Sequence, residues 1–485
     1  MVLEKFSKKI DCTGAAGIFS EVRTSPGFLF ESKDISYIYG RLSLIGIDPI
    51  MELRGKNDHF SARLLNERGR KFLNEFGHFD FCDSVKKNGN KIEGTIKKLK
   101  ASNKETERTK RRNIAEAIRQ FLSRFKMNER ELIGLYGAFS YDFIRLFEDI
   151  PDVLPENGVD DFRLFLFDSF IFFDHLKDRA EITAYRRTLS EAEKACNFIA
   201  KKIGHDHRYN HFKISDDKFE FSEQKYKKLV ENARKLAKQG ELYEIVYSNT
   251  LSGEFHGDSF ELYKKYSNIN PSPYLFYFDF GDEQLIGASP EMMVRCENNT
   301  VHLRPISGTA RRGNDPIEDH ENMLDLLKSE KERAELDMLI DLGRNDLARI
   351  CEPGIRVGDY RFVEKYSKVM HTVAHLSGQL RKNFTALDAL IACMNAGTLT
   401  GAPKIAAMTQ IEKNEKSRRG YYGGAIGYLT FSGDMDTGII IRTAHIKDGH
   451  FTFRVGATLL YDSEPEKEYM ETINKAEAFL TTIKE

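Results

Sequence analysis

Three things are scarce in this chain of 485 residues: paired cysteines, uncompensated charge and long apolar runs. The six cysteines, Cys12, Cys82, Cys196, Cys296, Cys351 and Cys393, are dispersed and form no C-x-x-C pair. That argues against a disulfide framework or a zinc site and fits a reducing compartment. None of them is a Gly-flanked nucleophile, so no glutaminase is expected in this chain. Lys plus Arg (73) and Asp plus Glu (74) cancel, so no global field draws nucleic acid or an anionic membrane. The basic N-terminal stretch lacks an apolar segment of signal length, and nothing downstream approaches a membrane-spanning run. The expectation is a soluble, cytoplasmic protein whose partners are small molecules or another protein.

What is present is ordinary globular chemistry, 41% apolar and 30% charged, in a chain long enough for two or three domains. Residues 28–55 alternate apolar and polar side chains between Gly and Pro punctuation and predict paired strands. Residues 86–112 turn basic, with Lys97, Lys98, Lys100, Lys110, Arg111 and Arg112 but no interleaved aromatics, which predicts a solvated hairpin or loop. Ile114, Ile118, Phe121, Leu122 and Phe125 recur at helical spacing, and the Gly-punctuated run LIGLYGAFSYDFIRLF after them reads as core. The polar stretch at 204–220 is expected to be the main linker, with His205, His207 and His211 solvated rather than metal-binding. Beyond it, Tyr226, Leu229, Val230, Ala233 and Leu236 predict an amphipathic helix, and residues 437–460 predict two strands around a turn at Asp448 and Gly449. There is no internal repeat, and the mixture of strand and helix indicates an α+β or mixed α/β fold.

Groups suited to chemistry concentrate toward the C-terminal side. In DSEPEKEYMETINKA, Ser463 and Glu466 form a capping-box pattern, and Glu468, Glu471 and Lys475 follow on one helical face. Taken alone, such a stripe is more readily a solvated ion pair worth about 0.3 kcal/mol. A second acidic helix, EKERAELDMLIDLGRND, offers Glu335 beside the apolar Ala334, Met338, Leu339 and Leu342. One carboxylate from each helix suits Mg²⁺, a hard ion that keeps several waters, although structural salt bridges explain two acidic helices as well. In GTLTGAPK, Thr398 and Thr400 precede Gly401 and Pro403, a pattern open either to a plain helix-entry turn or to a carboxylate site made of backbone N–H groups. Arg442, inside the apolar strand GIIIRTAHI, suits a bidentate grip on a carboxylate if it points inward and a surface position if it lies on an edge. His371 alternates with Val369 and Val373 on a strand, where a lone histidine is more often structural; only its company makes it a candidate general acid or base.

These strings occur together and in order. GASPEM (287–292), PISGT (305–309), ERAE (332–335), DLGRND (341–346), CEPG (351–354), YSKVMH (366–371), GTLTGAPK (397–404), YYGGAIGY (421–428), GDMDT (433–437), IRTA (441–444) and NKA (474–476) run through residues 222–480. With FESKD and GRLSLIGIDP nearer the N-terminus, they resemble the chorismate-utilising enzymes, and specifically the anthranilate synthase component I family. The resemblance implies a mixed α+β fold of layered antiparallel sheets flanked by helices. It divides the chain into an N-terminal component I domain with a tryptophan-site strand (1–215) and a chorismate-binding catalytic domain (216–485).

Carried over position by position, the resemblance implies Glu335 and Glu471 as Mg²⁺ ligands, with Glu468 acting through a metal-bound water. Gly308, Thr309, Thr398, Tyr422, Arg442, Gly456, Thr458 and Lys475 would surround the substrate's carboxylates and ring. Glu335, Thr398 and His371 would be catalytic, His371 matching the residue implicated in eliminating pyruvate. Aminodeoxychorismate synthases often carry a nucleophilic Lys in place of Ser307, and isochorismate and salicylate synthases a water-activating Lys in place of Glu244. Both differences imply amination by free ammonia, with Glu244 placed to hold ammonia or ammonium. Glu244 also departs from the commoner glutamine and, with GATLLYDS (456–463), resembles a branch that includes aminodeoxyisochorismate synthases of phenazine pathways.

The implied activity is conversion of chorismate and ammonia to anthranilate and pyruvate in tryptophan biosynthesis. A separate glutamine amidotransferase component II would supply the ammonia, in a heterotetramer. The alternative is amination without pyruvate loss, as in aminodeoxychorismate synthase component I or the phenazine-type enzymes. The family's tryptophan pocket uses an L-x-E-S-type strand and an N-P-S-P-Y segment, matched here by Leu29 to Ser32 and Asn270 to Tyr274. That match implies Glu31, Ser32, Pro271, Ser272 and Tyr274 as a feedback site; a Pro-rich packing turn is the plainer reading.

Overall fold

The computed structural model describes residues 3–484 other than 12, 13, 34–41, 78, 101–103, 205–210, 367 and 368. Among the described residues the strands form a twelve-stranded and a thirteen-stranded sheet built of antiparallel ladders, with helices laid against them. This is the layered α+β arrangement expected. In the first sheet Gly27–Glu31, Tyr274–Asp279, Glu283–Ser289, Thr443–Lys447, His450–Leu459 and Glu244–Gly257 are neighbours in that order. In the second, Ile306–Arg311, Val369–Gln379, Thr300–Leu303, Met292–Glu297, Met435–Ile439, Ala425–Thr430 and Gly134–Phe139 are neighbours likewise. Both sheets take strands from either side of residue 215, because Gly27–Glu31 pairs with Tyr274–Asp279 and Gly134–Phe139 with Ala425–Thr430.

The two-residue period of a strand decides what each side chain meets. Phe28 points between the sheets, where it stacks on Phe278 from its own sheet and Tyr136 from the other, at ring-centroid distances of 5.5 and 4.9 Å. Leu29, next along, points to the opposite face and joins a cluster with Phe19, Tyr263 and Phe479 from the helices Ala15–Val22, Ser259–Ile269 and Pro465–Lys484. The Glu330–Ala348 helix buries Leu336, Ile340 and Leu347 in the cluster that includes the inter-sheet core.

A buried charge joins the sheets as well. Arg163, on Phe162–Phe167 of the second sheet, donates from Nε to Glu52 at 2.9 Å and from Nη1 to Glu283 of the first sheet at 2.9 Å. Glu283 also accepts from Tyr421 at 3.0 Å and lies 2.8 Å from His445 Nε2. Burial would raise the Glu283 carboxyl, but the bond and charge of His445, with Arg163 and Lys447, outweigh it and hold the group at about 2.

Several expectations hold. The amphipathic helix spans Glu223–Lys238 and buries Tyr226, Leu229, Val230 and Ala233. Thr443–Lys447 and His450–Leu459 form the hairpin, with Asp448 and Gly449 both at positive φ as a type I′ turn requires. The basic stretch holds in part: it opens as a hairpin, Ser84–Asn88 with Lys91–Thr95, and Lys97, Lys98 and Lys100 are exposed, but Arg111 is buried and donates from Nη1 to the Phe147 carbonyl at 3.0 Å.

Three expectations change. The presumed linker is partly a strand: Phe212–Phe219 pairs with Glu244–Gly257, and the half-buried Phe212 and Ile214 pack on the helix-covered cluster. His211 is exposed, while His205 and His207 fall outside the described residues. The capping box at the last helix gives way to a backward bond, Ser463 Oγ accepting from the Leu460 N–H at 2.9 Å, while Glu466 pairs with Lys227. Finally, Arg442 is not inside a strand. Met435–Ile439 belongs to the second sheet and Thr443–Lys447 to the first, so the chain crosses between sheets at residues 440–442, with Arg442 at φ 49°.

Candidate functional site

His371 stands on Val369–Gln379, which pairs with Ile306–Arg311 across a register shift between Ser307 and Ala310. Its Nδ1 lies 2.7 Å from the Gly308 carbonyl oxygen and 3.2 Å from Thr309 Oγ1. A carbonyl only accepts, so Nδ1 carries the proton and Nε2 keeps the lone pair a general base needs. Burial lowers this imidazole to about 4; the Gly308 bond opposes the shift, and the charges of Arg442 and Lys475 reinforce it. Gly308 has φ 68°, a left-handed backbone conformation that calls for glycine.

Arg442, at the crossing, is a desolvated cation. Burial depresses its guanidinium, against the charges of Tyr266, Tyr366 and Glu291, and it has no ion-pair partner among the described residues. Lys475, on the Pro465–Lys484 helix, donates to the Gly456 carbonyl at 2.8 Å and pairs with Glu471 at 2.7 Å. A Cβ on Gly456 would lie 2.8 Å from the Tyr422 hydroxyl, so the glycine is what admits that tyrosine. Burial raises the Tyr422 phenol to about 12, which keeps it a hydrogen-bond donor. Thr458 follows Gly456 by two residues on the same face of its strand, opposite Val246.

Thr398, in the short Gly397–Thr400 helix, donates to Glu291 Oε1 at 2.9 Å. Glu291 escaped the sequence reading, although it is the one acidic residue of GASPEM. Burial pushes its carboxyl up to about 7, against the Thr398 bond and the charges of Lys475 and Arg442. It is thus an acid held among the same cations that face His371. Glu244, at the start of its strand, is 2% exposed, and its Oε1 has no hydrogen-bond partner among the described residues. Burial and then the charge of Glu335 raise it to about 8, so near neutral pH it is mostly protonated, a form that hydrogen-bonds ammonia rather than pairing with ammonium.

Glu335 is raised in turn by burial and by the charges of Glu332 and Glu471, while the Ser307 hydroxyl beside it opposes the shift. Glu468 is raised by burial and by Glu471. The two acidic helices therefore do converge, and Glu332, the first residue of ERAE, joins the carboxylates foreseen from the sequence. Among the described residues no three His, Cys, Asp or Glu side chains form a ready cage. An oxygen-only set whose members repel one another fits a hard cation that takes one or two carboxylates and fills its shell with water.

A separate cavity of about 650 Å³ lies between strands of the two sheets. Glu31, Ser32 and Tyr274 line it with Pro273, Arg295 and Asp436, whereas Pro271 and Ser272 do not, and Ser272 Oγ instead donates to the Ala288 carbonyl at 3.2 Å. Glu31 Oε2 accepts from the Tyr263 hydroxyl at 2.5 Å, and Tyr274 donates to Asp436 at 2.9 Å.

The chorismate binding enzyme family matches residues 78–481. Anthranilate synthase component 1 of Acetivibrio thermocellus is 38% identical over 372 residues, covering 73% of this chain and 75% of the relative. Its counterpart from Aquifex aeolicus is 39% identical over 367 residues, 72% of this chain and 74% of the relative. The crystal structure of anthranilate synthase component I from Streptococcus pneumoniae superposes with a TM-score of 0.71 at 33% identity, covering 90% of this chain and 91% of that one. The menaquinone-specific isochorismate synthase of Escherichia coli, at 16% identity and a TM-score of 0.71 over 99% of this chain and 95% of its own, shares the fold.

The His371 geometry sets a direct expectation. Followed by ¹⁵N shifts of labelled histidine, His371 stays neutral and Nδ1-protonated down to about pH 4; a His371 that titrates near its ordinary 6.5 refutes the assignment.

Proposed function

The chain belongs to the chorismate binding enzymes, and on that footing we propose that it is an anthranilate synthase component I, a lyase that makes anthranilate and pyruvate from chorismate and ammonia. The observation that carries this reading is the placing of Glu291, which accepts from Thr398 and whose carboxyl burial raises to about 7, and of His371, whose Nδ1 is turned to the Gly308 carbonyl, around the same two cations, Arg442 and Lys475.

A dianionic substrate would put its carboxylates against Arg442, Lys475 and the donors of Tyr422 and Thr398, in a setting where burial strengthens each contact. Ammonia, hydrogen-bonded by Glu244, adds its lone pair to the ring while the ring hydroxyl departs as water with a proton from Glu291, and the ammonium so formed gives up a proton that restores the Glu291 acid. His371 Nε2 then takes the proton from the aminated carbon, the ring–oxygen ether bond breaks with its electron pair going to the departing enolpyruvate, and that enolate takes up one proton at its methylene carbon to become pyruvate, leaving an aromatic ring behind. Overall, chorismate and ammonia become anthranilate, pyruvate and water. Mg²⁺, held by Glu335 and Glu471 with Glu468 and Glu332 beside them, would supply positive charge to the ring carboxylate.

The ammonia would come from a separate glutamine amidotransferase subunit. The described cysteines lack thiolate character: burial raises Cys82, Cys196 and Cys351 to about 11 and Cys296 to about 12, and raises Cys393 further. Among the described residues no helix is long and apolar enough to cross a membrane. The inter-sheet cavity would take L-tryptophan as feedback inhibitor, with Glu31 receiving its ammonium. A second reading, amination that stops before pyruvate loss, draws on Glu244, a carboxyl where glutamine is commoner.

Three outcomes follow. Incubated with chorismate, Mg²⁺ and ammonium, the protein yields anthranilate and pyruvate by chromatography and mass spectrometry; an aminated product that keeps the enolpyruvyl group favours the second reading. Glu335→Gln lowers turnover at least about 100-fold with circular dichroism unchanged, and a fully active variant removes the metal assignment. L-Tryptophan inhibits the wild type, and Glu31→Ala raises the half-inhibitory concentration by roughly 10- to 100-fold, the worth of a charged hydrogen bond; equal inhibition of both clears Glu31 of that role.

A further inference from the structure

Arg419 is not among the groups assigned to substrate, yet it holds three elements that carry such groups. It is 6% exposed. Its Nη1 donates to the Leu399 carbonyl at 2.5 Å and its Nη2 to the Val246 carbonyl at 2.7 Å. Nη2 and Nε also grip the two oxygens of the buried Glu415 carboxylate at 2.6 and 3.0 Å. The guanidinium carbon lies 5.5 Å from the centre of the Tyr422 ring and 4.8 Å from that of Tyr141. Leu399 adjoins Thr398, Val246 lies two residues beyond Glu244, and Tyr422 packs on Gly456.

We propose that Arg419 is a positioning residue for the chorismate site, one planar cation that sets the Thr398 turn, the Glu244 strand and the Tyr422 ring in a single geometry. The proposal rests on the reading of the site as a chorismate site. Only a guanidinium offers several N–H donors in a fixed fork and a flat face for aromatic contact; a lysine in its place keeps the charge but not the fork. Asn395 braces the same junction from the other side, its amide donating to the carbonyls of Gly423 at 3.0 Å and Tyr141 at 3.2 Å.

A neighbouring arginine separates positioning from mere support. Arg454 binds the same Glu415 at 3.0 Å, but its remaining hydrogen bonds go to Ser417 and to Ser248, further along the Glu244 strand, and reach neither the Thr398 turn nor the Tyr422 ring. Arg419→Lys and Arg454→Lys both weaken one buried network, and only the first loosens the site.

The experiment measures ammonia-dependent anthranilate formation and thermal unfolding for both variants. Displacing substrate-binding groups by about 1 Å costs on the order of 100-fold, so Arg419→Lys lowers kcat/KM by about that factor with a raised KM for chorismate. Arg454→Lys of similar unfolding temperature stays within about threefold of wild type. Equal losses in the two variants, in step with their unfolding temperatures, overturn the proposal. Glu415→Gln is the companion should Arg419→Lys not fold: it frees the fork from its anchor and raises KM roughly tenfold, the worth of a charged hydrogen bond, and an unchanged KM overturns the proposal. Wild-type activity separates the layers: an inert wild type refutes the chorismate reading and this one with it, whereas an active wild type with equal losses refutes the positioning role alone.

Discussion

Two sheets have to be held in fixed registration before any of this site exists. His371, Gly308 and Thr309 belong to the second sheet, Glu244, Gly456 and Thr458 to the first, and Arg442 to the chain between them. Aromatic packing of Phe28, Phe278 and Tyr136 supplies the attraction, but apolar packing alone tolerates sliding. The Arg163 bridge to Glu52 and Glu283 does not, because stranding one member of a buried ion pair costs about 3–5 kcal/mol. The charged contact thus confers alignment more than stability.

Within that frame the site is electrostatically unsatisfied. Burial drives Glu244, Glu291 and Glu335 toward their neutral forms and disfavours the charge on Arg442. A protein seeking only stability would pair these groups with one another or replace them. Here Glu244 and Glu335 lie near the other carboxylates of the acidic helices, Glu291 lies among the cations, and the Arg442 guanidinium, with no ion-pair partner among the described residues, sits at the sheet crossing. A dianion with its cation would relieve both strains together, which is the pattern expected where local rules are broken for function.

Local regularities were legible from the sequence and non-local ones were not. The Asp448–Gly449 hairpin and the Glu223–Lys238 helix follow from turn chemistry and helical period, and both stand where expected. The alignment of Glu468, Glu471 and Lys475 follows from the helical repeat alone. What their face meets was beyond the reach of periodicity, since Lys475 finds Gly456 through tertiary packing. The Phe212–Phe219 strand was hidden because its polar pattern suits a half-solvated edge strand as well as a loop. Arg442 was misplaced for a related reason: an apolar run that changes sheets midway looks like one strand. Glu291 was missed because nothing near it in sequence marks it as part of a site; the contact that does, Thr398, lies more than a hundred positions away.

The sheet order also bears on how the protein is made. His450–Leu459 lies between Thr443–Lys447 and Glu244–Gly257, inside the first sheet rather than at its rim. While a ribosome is still adding these residues, Glu244–Gly257 and Glu283–Ser289 each present an unpaired backbone row, a template for misassociation. The nascent chain therefore passes through a long interval in which most of its core is synthesised but its central ladder cannot close. Chaperone holding during that interval, rather than the final stability of the sandwich, would then limit the yield of active protein.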